Sequence, residues 1–292
     1  MPTDTQFATD WLEERNRFDE AARNPQVEHA FLQAAQQYEP VNIIDLGAGS
    51  GATFLYLAPK IQGSQRWTLV ELNPSLLKHA RQRIQLWGHA KGMQTTLDEA
   101  DQIVLQRDKQ EISIQFIKGS FLKLDRLLPL QHYQLATASA VIDLLSPEML
   151  EQLLQVLYNY ELGFYTMLNY QGMQFFPEEG QDAAMIAAYE KHMQRQQDFG
   201  RALGPDCADA FRQTGQQLYG KSPVEGQSDW IIRPSDRLMH RHLLSFMEKS
   251  IPEVAPKLDL PGWLERKQQL LEQGQLRLTV AHLDQFLPYH AS

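Results

Sequence analysis

The spacing of hydrophobic positions changes twice along this chain, and the changes divide it into three stretches. From residue 6 to 38, Phe7, Trp11, Phe18, Val27, Ala30, Phe31 and Ala34 recur at roughly helical intervals with charges between them, which predicts helices. Short apolar runs then alternate with amphipathic ones. The runs at 41–46, 67–72, 112–118, 133–139 and 164–169 predict strands, and those at 52–61, 74–86 and 147–160 predict helices. Pro74 and Pro147 stand at first-turn positions behind Asn73 and Ser146, whose side chains suit N-caps. Strand and helix in regular alternation is what a doubly wound α/β sheet requires.

Beyond Tyr170 the rhythm breaks. Residues 171–217 read as mostly helical, 228–233 as a short strand, 236–249 and 263–272 as helices, and 277–286 as a last strand. No run of Gly, Ser and Pro marks a linker, so one domain with an insertion fits better than two domains. The expected divisions are an N-terminal helical extension (1–40), a core (41–170), a helical substrate lid (171–227) and C-terminal strands and helices that complete the sheet (228–292).

Composition narrows the possible partners. A hydrophobic share of 43% and a charged share of 22% are those of a folded chain. The net charge of -9 argues against a nucleic-acid substrate, because a phosphate backbone calls for a basic face. Cys207 is the sole cysteine, which excludes an intramolecular disulfide and a cysteine metal cluster and fits a reducing compartment. The first twenty residues hold no apolar core of signal-peptide length, and nowhere do 18 apolar residues run together. The expectation is a cytoplasmic protein without a membrane segment, monomeric or homodimeric, acting on a small molecule.

The stretch IIDLGAGSGATFLYLAP, residues 43–59, is the most informative. A buried strand ends at Leu46, and Gly47, Gly49 and Gly51 precede a helix. Glycines there permit a tight turn and close approach of a ligand to the backbone, and the helix start offers free N–H groups. Twenty residues beyond Gly51, Glu71 ends the second strand, where a carboxylate can accept hydrogen bonds from both ribose hydroxyls of a nucleoside. Gly47-x-Gly49-x-x-Ala52 also satisfies the dinucleotide pattern, so a nicotinamide-dependent oxidoreductase is the competing reading. A non-catalytic binding module on the same fold is a third.

Asp45 helps to decide between them. Asp45-Leu46-Gly47-Ala48-Gly49-Ser50-Gly51 resembles motif I of the class I S-adenosylmethionine-dependent methyltransferases, and the resemblance extends with falling specificity over residues 40–170. It implies a Rossmann-like, seven-stranded, mostly parallel sheet with helices on both faces, N-terminal helices and a helical insertion after the fifth strand. It also implies S-adenosylmethionine as methyl donor and S-adenosylhomocysteine as product, held by Asp45, Gly47, Ala48, Gly49 and Gly51. Glu71 matches the ribose-binding acid and Leu72 the position that packs on adenine. Where the family often has an Asp that meets the adenine amino group, this chain has Ser120, followed by Phe121. Residues 134–145 resemble the family's fourth strand and the loop beside the transferred methyl, which implies a place for Ser139 at the cofactor. The Asn/Asp-Pro-Pro-aromatic signature of enzymes acting on adenine or amide nitrogens is absent there, since Ala138-Ser139-Ala140-Val141 takes its place.

Methyl transfer is an in-line displacement that mainly needs alignment, with a base only if the nucleophile arrives protonated. By position the best base is Asp143; a first-turn acid near the following helix is the plainer account. Tyr170, Phe175, Phe176, Tyr189, Met193 and Phe199, interleaved with His192 and Asp198, give the lid an aromatic lining for a small organic acceptor. Tyr170 and His192 are its catalytic candidates, while Arg195 and Arg201 suit an anionic acceptor or a solvated face equally well. His240 and His242 are two apart on a helix and point in different directions. His282 and Asp284 share a strand face and read as a buried polar pair. No metal site is expected.

Overall fold

A computed structural model describes residues 4–98, 102–197 and 200–289. Helices α1 (Asp4–Ala22) and α2 (Pro25–Ala35) come first. The core follows as β1 (Val41–Leu46), α3 (Ala52–Leu57), β2 (Gln65–Glu71), α4 (Pro74–Ala90), β3 (Gln94–Leu97), β4 (Ile103–Arg107), β5 (Gln110–Lys118), α5 (Leu124–Leu127), β6 (Leu135–Ser139) and α6 (Pro147–Asn159). The last part comprises β7 (Gly163–Phe176), α7 (Asp182–Met193), β8 (Gln196–Gln197), β9 (Gly200–Arg201), α8 (Cys207–Tyr219), β10 (Val224–Gln227), β11 (Trp230–Ile232), α9 (Arg237–Val254), α10 (Leu260–Glu272) and β12 (Arg277–Leu287).

The expected caps form. Asn73 Oδ1 accepts from Ser75 N at 2.9 Å and Ser146 Oγ from Met149 N at 3.3 Å, each satisfying a first-turn donor. Asn24 caps α2 in the same way.

The sheet runs β10-β12-β7-β6-β1-β2-β5-β4-β3, with β11 beside β12. β5, β2, β1, β6 and β7 are parallel neighbours, the third, second, first, fourth and fifth strands of a doubly wound order. β12 then enters antiparallel against β7, with β10 and β11 end to end on its far side. The fold is the expected Rossmann-like one.

Two features depart from the sequence reading. An antiparallel hairpin of β3 and β4 extends the sheet beyond β5, giving ten strands in place of seven. Its inner strand, Ile103-Val104-Leu105-Gln106-Arg107, holds only three apolar residues in a row, too short a run to stand out. β7 runs past Asn169 to Phe176, so the first residues read as lid are sheet, as are those of β10. β7 bends at a register break opposite β12, where Leu168 takes φ +56°.

Alternation along the strands divides the core. Ile43, Trp67, Leu69 and Tyr165 face α1, α2, α4, α9 and α10, while Ile44, Val70, Ala136 and Phe164 face α6 and α8. α2 lies on the sheet through Val27, Phe31 and Ala35, and Phe31 meets Tyr165 and Phe286. No helix among the described residues is long and apolar enough to cross a membrane.

Candidate functional site

The C-terminal ends of β1, β2 and β6 open into one cavity of about 420 Å³. This is where the strand order reverses, since β2 and β6 flank β1 on opposite sides. Gly47 and Gly49 take φ +64° and +52°, values that cost an ordinary residue about 1–2 kcal/mol. The two differ in surroundings. A Cβ on Gly47 would stand 2.9 Å from Val141 Cγ2, whereas one on Gly49 would meet nothing closer than Gly47 O at 3.9 Å. Gly49 therefore presents bare backbone to the cavity. Gly51, at φ +77°, begins α3 against Ala80 and Ile84.

Glu71 stands where the sequence puts it, at the end of β2 on the cavity wall. Its Oε2 accepts from Gly49 N at 3.0 Å and its Oε1 from Asn73 N at 2.9 Å, so the carboxylate and the glycine turn fix each other. Arg83 on α4 adds a second tie by donating to Ser50 O at 3.0 Å and Ser50 Oγ at 2.7 Å. Leu72, more than half exposed, forms an apolar shelf beside Glu71. Phe121, Ser139, Ala140 and Val141 close the opposite side. Ala140 has φ +51°, an uncommon conformation for a residue with a Cβ, held by its N–H to Met167 O at 2.9 Å. Ser120 is not on the wall. It accepts from Leu122 N at 3.4 Å, capping the turn that presents Phe121.

Asp45 lies fully buried beneath the glycine turn. Its Oδ1 accepts from Thr137 Oγ1 at 2.8 Å, and its Oδ2 has no hydrogen-bond partner among the described residues. Burial pushes its carboxyl up to about 7; the Thr137 hydroxyl and the charge of Arg23 oppose the rise, and the charge of Glu71 adds to it.

Sequence reasoning missed the contribution of α1. Arg15, Asn16 and Asp19 line the same cavity, and Arg15 Nε meets Asp19 Oδ2 at 3.0 Å. Just after α1, buried Arg23 donates to Ser139 Oγ at 3.2 Å, and its Nε and Nη1 have no partner among the described residues. Arg15, Asp19 and Arg23 fall four apart, so a charged triplet on one helical face was the available signal.

A second cavity, about 560 Å³, adjoins the first, and Leu144 borders both. Asp143, Tyr189, His192, Met193 and Phe246 line its interior wall, with Arg195, Lys249 and Glu253 exposed around it. The structure thus brings the candidates Asp143 and His192 together across about fifty residues of chain. Asp143 Oδ1 is buried without a hydrogen-bond partner among the described residues, and burial pushes its carboxyl up to about 6. His192 has both ring nitrogens engaged, Nε2 with Glu253 Oε2 at 3.0 Å and Nδ1 with Arg195 Nη1 at 2.9 Å. Because arginine only donates, Nδ1 accepts, and Nε2 carries the proton toward Glu253.

Tyr170 lines neither cavity. Its hydroxyl donates to Glu190 Oε1 at 3.2 Å, and burial followed by the Glu190 charge holds its pKa far above the ordinary value. Phe175 packs on Trp263, Phe176 lies under Arg277, and Arg201 folds back on Gln194. Asp198 and Phe199 lie outside the described residues. Buried His240 meets Arg233 O at 3.1 Å, and His242 packs edge-on against Trp11. The expected pairing of His282 with Asp284 is corrected by the β12 irregularity between Leu283 and Gln285. Asp284 accepts instead from Leu168 N, Asn24 N and Tyr165 Oη, while His282 packs on Trp230. No group of three or more metal-ligating side chains occurs among the described residues.

No family model matches the chain, and no curated protein matches it. Similar solved structures include a provisionally assigned methyltransferase from Bacillus halodurans C-125, 11% identical over 89% of this chain and 98% of that one, TM-score 0.47. A provisionally assigned sarcosine dimethylglycine methyltransferase from Galdieria sulphuraria is 16% identical over 92% and 85%, TM-score 0.43. Geranyl diphosphate C-methyltransferase from Streptomyces coelicolor A3(2) is 10% identical over 88% and 76%, TM-score 0.39.

Proposed function

We propose that the chain is an S-adenosylmethionine-dependent methyltransferase that modifies a small molecule, with the donor in the 420 Å³ cavity and the acceptor in the one beyond Leu144. The observation that carries the reading is the open backbone of Gly49 at the point of strand-order reversal, with the Glu71 carboxylate fixed beside it. The residues fit such a donor. Glu71 suits ribose hydroxyls, and the Leu72 shelf and Phe121 suit a flat base, while Asp45 lies off the cavity wall beneath the turn. When bound, the donor supplies an electrophilic methyl; the chain's share is to hold it against the boundary at Leu144 and keep water out.

Calorimetry with S-adenosylhomocysteine tests this. The wild-type chain should bind it, and Glu71→Ala and Gly49→Val should abolish binding. No heat with either S-adenosylmethionine or S-adenosylhomocysteine would sink the proposal, and a fluorescence response to NADH would favour the oxidoreductase.

A further inference from the structure

We propose that Arg15 on α1, together with Ser139 held by Arg23, reads the carboxylate at the amino-acid end of the donor and so selects that donor over its decarboxylated form. The inference rests on the methyltransferase reading for the donor's identity and on the groups of the 420 Å³ cavity for the end that is read.

Among the described residues, the charged side chains on this cavity's wall are Arg15, Asp19 and Glu71. Glu71 stands at the end of β2, tied to Gly49 N and Asn73 N. Arg15 and Asp19, on successive turns of α1, sum to zero charge, so the atoms left open decide what the pair attracts. Asp19 Oδ1 is sealed from solvent, and its Oδ2 accepts from Arg15 Nε at 3.0 Å. The guanidinium is the more open partner, with 18% of the Arg15 side chain exposed against 8% for Asp19. Its Nη1 and Nη2 donate to no described residue and are not among the sealed polar atoms. The Asp19 carboxylate and the Trp230 ring, 5.5 Å from Cζ, hold the group in place. The edge it keeps is the two-nitrogen fork that a carboxylate meets bidentately.

Ser139, half-buried at the end of β6, lines the same cavity. Its Oγ accepts from Arg23 Nη2 at 3.2 Å, and because arginine only donates, the hydroxyl keeps its own hydrogen to give. A hydroxyl that accepts from a cation donates more strongly to an anion. Arg23 is buried and does not line the cavity, so it acts through Ser139 as a positioning residue. The two arginines bear on one neighbourhood: burial, then the charge of Arg15 and, more weakly, that of Arg23, push His282 down to about 3.

Hydrogen-bond donors therefore gather on the α1 and β6 side of the cavity, while Glu71 supplies acceptor oxygens from β2. A nucleoside with an amino-acid tail matches that division, its ribose hydroxyls at Glu71 and its carboxylate at Arg15 and Ser139. The tail's ammonium meets no equivalent partner, because Asp19 Oδ1 and Asp45 Oδ2 are both sealed from solvent. The carboxylate is thus the end read by charge. Held at both ends, the donor keeps one orientation across the cavity.

The test titrates three probes calorimetrically into the full chain. They are S-adenosylhomocysteine, the aminopropyl thioether of adenosine, which lacks only the carboxylate, and the carboxypropyl thioether, which lacks only the ammonium. The wild type should bind the aminopropyl probe roughly tenfold to a hundredfold more weakly than S-adenosylhomocysteine, with the carboxypropyl probe much closer to the parent. Arg15→Gln should weaken both carboxylates roughly tenfold or more and leave the aminopropyl probe within about twofold. Arg15→Lys keeps the charge without the fork and should recover part of the loss. Ser139→Ala should weaken the same two ligands by a smaller factor. Arg23→Gln should do likewise, and adding Ser139→Ala to it should cost nothing further, because Arg23 acts through that hydroxyl. Arg15→Gln that binds all three probes as the wild type does, or loses all three equally, overturns the inference, as does a wild type that fails to separate the two thioethers. Those results would leave S-adenosylhomocysteine binding, and with it the methyltransferase reading, intact; a wild type that binds none of the three removes both.

Discussion

Two glycines, one and three positions past the end of β1, give a prediction that separates folding from binding. Gly47→Ala and Gly49→Ala add the same methyl to the same kind of left-handed residue, at a strain of about 1–2 kcal/mol each. At Gly47 the new Cβ stands 2.9 Å from Val141 Cγ2 in the buried loop after β6, and overpacking there adds about 1–3 kcal/mol. At Gly49 no atom lies within 3.9 Å, so strain is the whole cost. Gly47→Ala should lose roughly 2–5 kcal/mol of stability and Gly49→Ala about 1–2. The ligand response should be reversed. The Gly49 methyl projects into the space where the donor is proposed to bind, so the stabilisation by S-adenosylhomocysteine, about 2.7 kcal/mol at a hundredfold excess over Kd, should largely vanish. Gly47→Ala should keep most of it. Urea unfolding of both variants, with and without S-adenosylhomocysteine, measures all four quantities. A Gly49→Ala protein that loses as much stability as Gly47→Ala, or keeps the full ligand response, refutes the reasoning.

Two further predictions concern buried charge. Asp45 binds its proton more tightly in the folded than in the unfolded chain, so stability should fall as pH rises from about 4 to about 7; Asp45→Asn, whose Oδ1 still accepts from Thr137, should remove that slope and unfold later at pH 8, by thermal melts across the range. Lys267 is fully buried, 2.7 Å from Asp182 and 2.9 Å from Glu179, under the Phe175 and Trp263 rings. Lys267→Ala should therefore cost about 3–5 kcal/mol in chemical denaturation, with part recovered in Lys267→Met combined with Asp182→Asn.

The glycine-turn side of the site was legible because it is local. Strand, glycine turn, helix and second strand span residues 41–71, and each makes its contribution through short-range backbone geometry. Gly47, Gly49 and Glu71 therefore meet where their spacing placed them. Ser120 is next to the site in the chain but does not line the cavity, and its hydroxyl accepts from its own turn. Arg15, Asp19 and Arg23 escaped notice because their destination depends on how α1 crosses the sheet, which helical periodicity does not encode.

The second cavity shows the same limit more strongly. Asp143, Tyr170 and His192 carried equal chemical promise as residue types, yet burial and partners treat them differently. Tyr170 sits inside the sheet with its hydroxyl on Glu190, His192 is held at both nitrogens, and Asp143 has a buried oxygen with no hydrogen-bond partner among the described residues. By itself the sequence determined the Rossmann-like core and the glycine turn, because alternating periodicity and glycine spacing are properties of neighbouring residues. The tertiary structure alone decided which charges lie together, what covers them and which stay unpaired, because those depend on packing between segments far apart in the chain.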